Sequence, residues 1–213
     1  MDSQERNLRA AIIKACRKLD IKDMMAASDG NVSCRCGEGC ILITPGGVVK
    51  GELEPGDLVK TDLKGKLLEG PRKASSEIRM HLLVYDKRPD VRSVVHAHPP
   101  FATAFTLVGH PFNAKVLPEV WLMLGKVPVA PYATPSTAEV PKSIAPHVEK
   151  SRAILLQRHG ALTFGASIAE ACMRMEKLEH AAKILFYASI LEGRKSPCAM
   201  TDGELEKLEA ILK

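Results

Sequence analysis

Short apolar runs alternate along this chain with stretches of helical periodicity, and that alternation limits the folds open to it. Asn31 to Arg35, Cys40 to Thr44, Leu58 to Thr61, Val91 to His98, Ala153 to Gln157 and Leu162 to Phe164 read as short strands. Between them, Ser3 to Leu19 carries Leu8, Ile12, Cys16 and Leu19 at helical spacing, with Ser3 as its cap. Glu77 to Lys87 reads as a helix ended by Arg88-Pro89; Pro99 opens another that runs to Leu107. A further helix is expected near Ala138 to Val148, after an extended Val127 to Ala130. Ser167 to Leu191 places Ile168, Ala171, Cys172, Met175, Leu178, Ala182 and Leu185 on one stripe. Asp202 caps a last helix marked by Leu205, Leu208 and Leu212. Strands interleaved with helices predict an α/β or α+β fold, one domain over residues 1–213, with helices packed on a central sheet. Strand order is not legible from this pattern.

A chain of 213 residues is large enough to bury roughly 70% of its unfolded surface without a disulfide or metal to hold it. No apolar run approaches the ~18 residues of a membrane span. The segment Met1-Asp2-Ser3-Gln4-Glu5-Arg6 does not have the pattern of a secretory signal, so a cytoplasmic setting with reduced thiols is expected. The net charge of +5 is spread without a block, and aromatics make up only 4%. Nucleic-acid binding is therefore disfavoured, and a small anionic substrate suits the balance. Cys34, Cys36 and Cys40 lie close together, but their spacing is not that of paired thiolate ligands in a structural zinc site.

The chemistry concentrates in Val94-Val95-His96-Ala97-His98-Pro99. Alternation along a strand puts His96 and His98 on one face, about 7 Å apart, where two imidazoles can converge on one cation. His159 sits at the end of another apolar strand, and Glu77 places a carboxylate at the start of a helix. Three imidazoles and a carboxylate match the ligand count of a catalytic zinc site, which acts as a Lewis acid. Gly30-Asn31, Gly46-Gly47 and Ser75-Ser76 stand at turns and a helix start, where exposed backbone N–H groups suit a phosphate. Neither GxxxxGK[ST] nor GxGxxG is present, which disfavours a nucleotide.

Gly30-Asn31-Val32-Ser33, Ile43-Thr44-Pro45-Gly46-Gly47, Ser75-Ser76-Glu77, His96-Ala97-His98, Ala130-Pro131-Tyr132-Ala133-Thr134 and His159-Gly160 follow one another in a telling order. From roughly residue 5 to residue 192 the chain resembles the class II aldolase/adducin family, most of all its L-fuculose-1-phosphate aldolase branch. The resemblance implies a mainly antiparallel central sheet flanked by helices. It also implies a zinc-dependent lyase, with manganese or cobalt as other candidate ions. His96, His98 and His159 match the family's metal ligands, and Glu77 matches the carboxylate that ligates the metal and serves as base. Gly30, Asn31, Gly46, Gly47, Ser75 and Ser76 match the positions that hold the substrate phosphate. The implied reaction is reversible cleavage of a ketose 1-phosphate into dihydroxyacetone phosphate and an aldehyde through a metal-stabilised enediolate. Cytoplasmic homotetramers with active sites between subunits are implied too.

Two departures bear on specificity. Gly46 stands where the family has threonine, which removes a hydroxyl and leaves backbone N–H. Leu117-Pro118-Glu119-Val120-Trp121 lacks the tyrosine that the family aldolase places near the aldehyde; Glu119 or Trp121 lines the pocket instead, or Trp121 packs in the core or an interface. Aldolases acting on 5-deoxyribulose or 5-methylthioribulose 1-phosphate, an L-ribulose-5-phosphate 4-epimerase, and a methylthioribulose-1-phosphate dehydratase share the scaffold. An adducin-like interaction domain is the non-enzyme alternative, but it would lack the histidine set.

Overall fold

A computed structural model describes residues 2–108, 112–191, 193 and 198–211. Eight strands form one sheet in the order β4-β3-β2-β1-β5-β8-β7-β6. They are β1 (Asn31–Arg35), β2 (Cys40–Ile43), β3 (Val59–Asp62), β4 (Leu67–Glu69), β5 (Ser93–Ala97), β6 (Val129–Ala130), β7 (Ala153–Leu156) and β8 (Gly160–Gly165). Every neighbouring pair is antiparallel except β6 and β7, which run parallel. The mainly antiparallel sheet that the family resemblance implied is therefore present. β4 was not foreseen, because its three residues are all exposed and show no alternation.

Helices cover both faces: α1 (Ser3–Ile21), α2 (Ile78–Lys87), α3 (Pro100–Val108), α4 (Pro118–Leu124), α5 (Glu139–Ile144), α6 (Ile168–Leu191) and α7 (Asp202–Ala210). Strand alternation sorts the core into two clusters. Val32, Cys34, Val95, Ala97, Leu155 and Ala161 face one way and pack with the buried stripes of α1 and α6. Ile41, Val94, Ile154, Leu162 and Phe164 face the other way and meet Met80, Val84 and Tyr85 of α2 and Val140 and Ile144 of α5. β5 lies at the centre and is buried along its whole length.

Most element ends differ from the sequence reading by one or two residues, with local causes, but the helix expected to reach Val148 stops at Ile144 and Val148 opens a separate 3-10 turn. Asp2 rather than Ser3 caps α1, its Oδ1 accepting from Glu5 N–H at 2.7 Å. Thr201 rather than Asp202 caps α7, in a reciprocal arrangement with Glu204. In both cases two cap-competent residues stand side by side. The expected strand ending at His98 stops at Ala97, and the following helix begins at Pro100. Leu212 lies outside the described residues.

Candidate active site

β5 carries the centre of the site. Its register pairs His96 with Asn31 of β1 on one side and Leu162 of β8 on the other, so the His96 ring rises from the α2 face of the sheet. His98 follows one residue past the strand, where its N–H donates to Met24 O at 2.8 Å. His159 stands in the tight β7–β8 turn, which forces Arg158 to a φ of 58°. Gly160 must be glycine here: a Cβ would come within 2.5 Å of Ala97 O and 2.8 Å of His98 Cδ2. That close approach draws His159 up to the other two rings. The three ring centroids lie 4.8–5.1 Å from one another, and their ligand atoms all fall within 4.8 Å.

Glu77 immediately precedes the first residue of α2 and does not cap it; its side chain turns to the rings instead. Glu77 Oε2 is 3.2 Å from His96 Nε2, and Glu77 Oε1 is 3.2 Å from His159 Nε2. Burial alone would raise this carboxyl, but the facing His96 and His159 rings more than reverse that and hold it well below the usual carboxylate range.

The donor atoms suit a divalent cation. Ala161 O can only accept, so the 2.9 Å contact fixes the His96 proton on Nδ1 and leaves Nε2 as a lone pair. Asp29 Oδ2, 3.1 Å from His98 Nδ1, favours the same tautomer there. Burial and the neighbouring rings push His98 down to about 4, so it is neutral near pH 7. The two Nε2 atoms nonetheless sit 3.1 Å apart. Glu77 Oε1 is buried without a hydrogen bond. Lone pairs converging this closely are stable only around positive charge, whether a metal ion or a proton. Among the described residues, these three histidines are the one His/Cys/Asp/Glu group with metal-binding geometry. The cysteines are not: burial pushes Cys34 up to about 12 and Cys36 higher, so both are thiols at neutral pH.

A cavity of about 360 Å³ opens beside the rings. All six residues expected at the phosphate line it: Gly30, Asn31, Gly46, Gly47, Ser75 and Ser76. The glycine loop is pinned to the segment ahead of α2, with Ser75 N–H donating to Thr44 O and Gly46 N–H to Lys73 O. Gly46 N–H is therefore committed within the protein, and the N–H expected to replace the missing hydroxyl is not free. Ser76 Oγ lies 2.7 Å from Ser136 Oγ.

The structure adds three polar residues to the site that the sequence reading missed. Lys50 is buried at the cavity wall, its Nζ donating to Ser28 O and Val48 O at 2.8 Å each, and burial lowers its pKa. Asp29 orients His98, and His81 sits behind Asn31. A lone His on a helix and a lysine opening a short 3-10 turn carry no local signature; only the fold brings them here. Glu119 does not line this cavity but a separate depression with Arg152 and Arg174. Trp121 packs against the core edge and donates from Nε1 to Glu209 Oε1 at 3.0 Å.

Residues 10–186 match the family described as Class II Aldolase and Adducin N-terminal domain. A 3-oxo-tetronate 4-phosphate decarboxylase of Pectobacterium atrosepticum is 33% identical over 91% of this chain and 88% of its own length. A 5-methylthioribulose-1-phosphate/5-deoxyribulose-1-phosphate aldolase of Rhodospirillum rubrum is 35% identical over 83% of this chain and 79% of its own. A solved L-fuculose 1-phosphate aldolase superposes with a TM-score of 0.88 at 32% identity, covering 100% of this chain and 97% of that one. The chain belongs to the class II aldolase and adducin family.

Proposed function

We propose that this protein is a zinc-dependent aldolase that reversibly cleaves a ketose 1-phosphate, such as L-fuculose 1-phosphate, into dihydroxyacetone phosphate and an aldehyde. The observation that carries the reading is the union of His96, His98, His159 and Glu77 at the mouth of a cavity lined with phosphate-suited groups.

Gly47, Ser75, Ser76 and Asn31 hold the phosphate, and the buried Lys50 biases the cavity toward anions. That anchor keeps the reacting carbons beside the rings, so remote binding energy goes into positioning. In the cleavage direction a base takes the C4 hydroxyl proton, C4 becomes the aldehyde carbonyl as the C3–C4 bond breaks toward the C2 ketone, and charge collects on the C2 and C3 oxygens. A divalent ion held by His96, His98 and His159 would supply a Lewis acid for that charge. Glu77 delivers the proton to C3, or removes it in the synthetic direction.

The decarboxylase relative supports a second reading. Loss of carbon dioxide from a 3-oxo-tetronate 4-phosphate breaks C1–C2 toward the C3 ketone. Protonation of the resulting carbanion yields dihydroxyacetone phosphate again. Both reactions thus pass through one phosphorylated enediolate and differ only in the leaving carbon. Methylthioribulose and deoxyribulose 1-phosphates fit the first reading with another aldehyde half. One screen separates them: zinc-loaded protein is offered each ketose 1-phosphate and the 3-oxo acid, with dihydroxyacetone phosphate, aldehyde and carbon dioxide all measured. Aldehyde equal to triose phosphate supports the aldolase, and carbon dioxide equal to it supports the decarboxylase. An isomerised or dehydrated sugar with no triose phosphate would move the reading to a 4-epimerase or a dehydratase.

We infer also that the enzyme works in the cytoplasm as a homotetramer with sites between subunits. Exposed Leu107, Val108, Phe186, Tyr187, Ile190 and Leu191 offer apolar surface for such contacts. A monomer in sedimentation at assay concentration would remove that part.

A further inference from the structure

β1 and α2 face each other through polar side chains at matched intervals. Asn31, Ser33 and Arg35 alternate on one face of β1, about 6.6 Å apart. Glu77 just ahead of α2, and His81 and Tyr85 on it, recur every four residues, a rise of about 6 Å. The two repeats nearly coincide, so the side chains interleave like teeth. Asn31 Nδ2 donates to Glu77 Oε2 at 3.1 Å. Asn31 Oδ1 lies 2.6 Å from His81 Nε2. Ser33 Oγ lies 2.7 Å from His81 Nδ1 and 2.7 Å from Tyr85 OH. Arg35 closes the row, bonding Tyr85 O and covering the Tyr85 ring at 4.9 Å.

Donor and acceptor logic gives this row a direction. Glu77 as a carboxylate only accepts, so Asn31 must turn its NH2 toward it and its oxygen toward His81. His81 then donates from Nε2, and its Nδ1 accepts from the Ser33 hydroxyl. Ser33 in turn accepts from Tyr85. Ser33 and His81 are fully buried and Tyr85 nearly so. Apolar side chains of equal bulk would serve packing as well or better, so a wholly polar row calls for another role.

We propose that Tyr85, Ser33 and His81 are positioning residues: they fix the Asn31 amide so that its NH2 faces Glu77 and the cavity together. This rests on the reading of Glu77 as the base and Asn31 as a phosphate ligand. Asn31 Nδ2 carries two protons, one for Glu77 and one for the phosphate. The row therefore ties the anchor of the substrate to the group that moves its proton. An inverted amide would present oxygen to both anions and repel them.

The test begins with 15N NMR of the imidazole nitrogens in the full-length protein without metal or substrate. His81, assigned by its absence from His81→Gln, is expected to be neutral with the proton on Nε2. A proton on Nδ1 overturns the proposal. Exchange of the dihydroxyacetone phosphate C3 proton with deuterated solvent is then followed in the zinc-loaded protein. His81→Gln can still donate to Asn31 Oδ1 and is expected to keep exchange. His81→Leu, of similar bulk, is expected to lose roughly ten- to a hundredfold in rate. Equal rates in the two variants overturn the proposal, because a packing role would not tell them apart. If His81→Leu does not fold, Ser33→Ala replaces it, with the same expected loss and a mixed His81 tautomer; an unchanged tautomer and rate overturn the proposal. The wild-type tautomer is read without substrate. Failure of the wild-type protein to exchange any proton would thus discard the aldolase reading while the orientation result stood on its own.

Discussion

Replacing Gly160 by alanine tests how tightly the strand packing sets the ligand geometry. The added Cβ would lie 2.5 Å from Ala97 O and 2.8 Å from His98 Cδ2. An ordinary carbon–oxygen contact is about 3.3 Å, so the two backbones must part by roughly 0.8 Å. Ala97 pairs with Ala161 in the β5–β8 ladder, and nothing in that pair is the flexible end of a side chain. The shift therefore falls on the residues flanking the contact, His98 and His159. Ligand distances in a metal site tolerate about 0.2 Å, a quarter of that displacement. Gly160→Ala is expected to cost about 1–3 kcal/mol of stability through overpacking, which for this chain length lowers Tm by roughly 2–12 °C. Zinc affinity should fall as well, by about ten- to a hundredfold. Titration calorimetry and thermal melts with and without zinc read both. Gly203→Ala in α7, where a Cβ meets nothing within 4 Å, serves as control. A Gly160→Ala protein that melts normally and binds zinc with native affinity would refute the argument.

Other outcomes follow from single groups. Glu77→Gln keeps the bound metal but slows C3 proton exchange by about 10²- to 10⁴-fold, read by proton NMR in deuterated solvent. Gly46→Ser restores a hydroxyl where a Cβ has its nearest neighbour at 3.6 Å; one added hydrogen bond should tighten inorganic phosphate by about 0.5–1.5 kcal/mol in calorimetry. Glu5 bonds Lys60 at 2.8 Å and Arg9 at 2.7 Å. Lys60 and Arg9 outweigh burial and hold the Glu5 carboxyl below its ordinary value. Stability from Glu5 is thus present above the unfolded carboxylate pKa and lost as pH falls through the lower folded one. Denaturant melts across that acid range should show a shallower loss for Glu5→Gln than for the wild type.

The metal-binding face was legible because its signals are local. His96 and His98 are two residues apart at the end of a strand, so alternation carried one residue past it puts them together, and a glycine after His159 marks a turn at a strand end. His81 escaped notice because its meaning depends on β1 and α2 lying side by side at commensurate spacings, and neither repeat is conspicuous alone. Lys50 and Asp29 enter through loops that only tertiary packing folds toward the rings. The same limit applies to the sheet. β5, β7 and β8 announce themselves as apolar runs, yet the order β1-β5-β8-β7 follows from long-range pairing that periodicity does not encode. α4 is only two turns long and opens with Pro118, which marks a helix start and a loop equally well. The Gly46 departure was legible, but its consequence was not, since only the loop's pairing with Lys73 shows that the remaining N–H is already bonded.

The central claim is that His96, His98, His159 and Glu77 hold one divalent ion. X-ray absorption at the zinc edge of the zinc-loaded protein, with metal content measured alongside, tests it most directly. The expected result is one ion per chain, with three imidazole nitrogens near 2.0–2.1 Å and carboxylate oxygen in its shell, lost in His98→Ala. An ion bound through sulfur, or stoichiometric zinc with an unchanged shell in His98→Ala, would contradict the account.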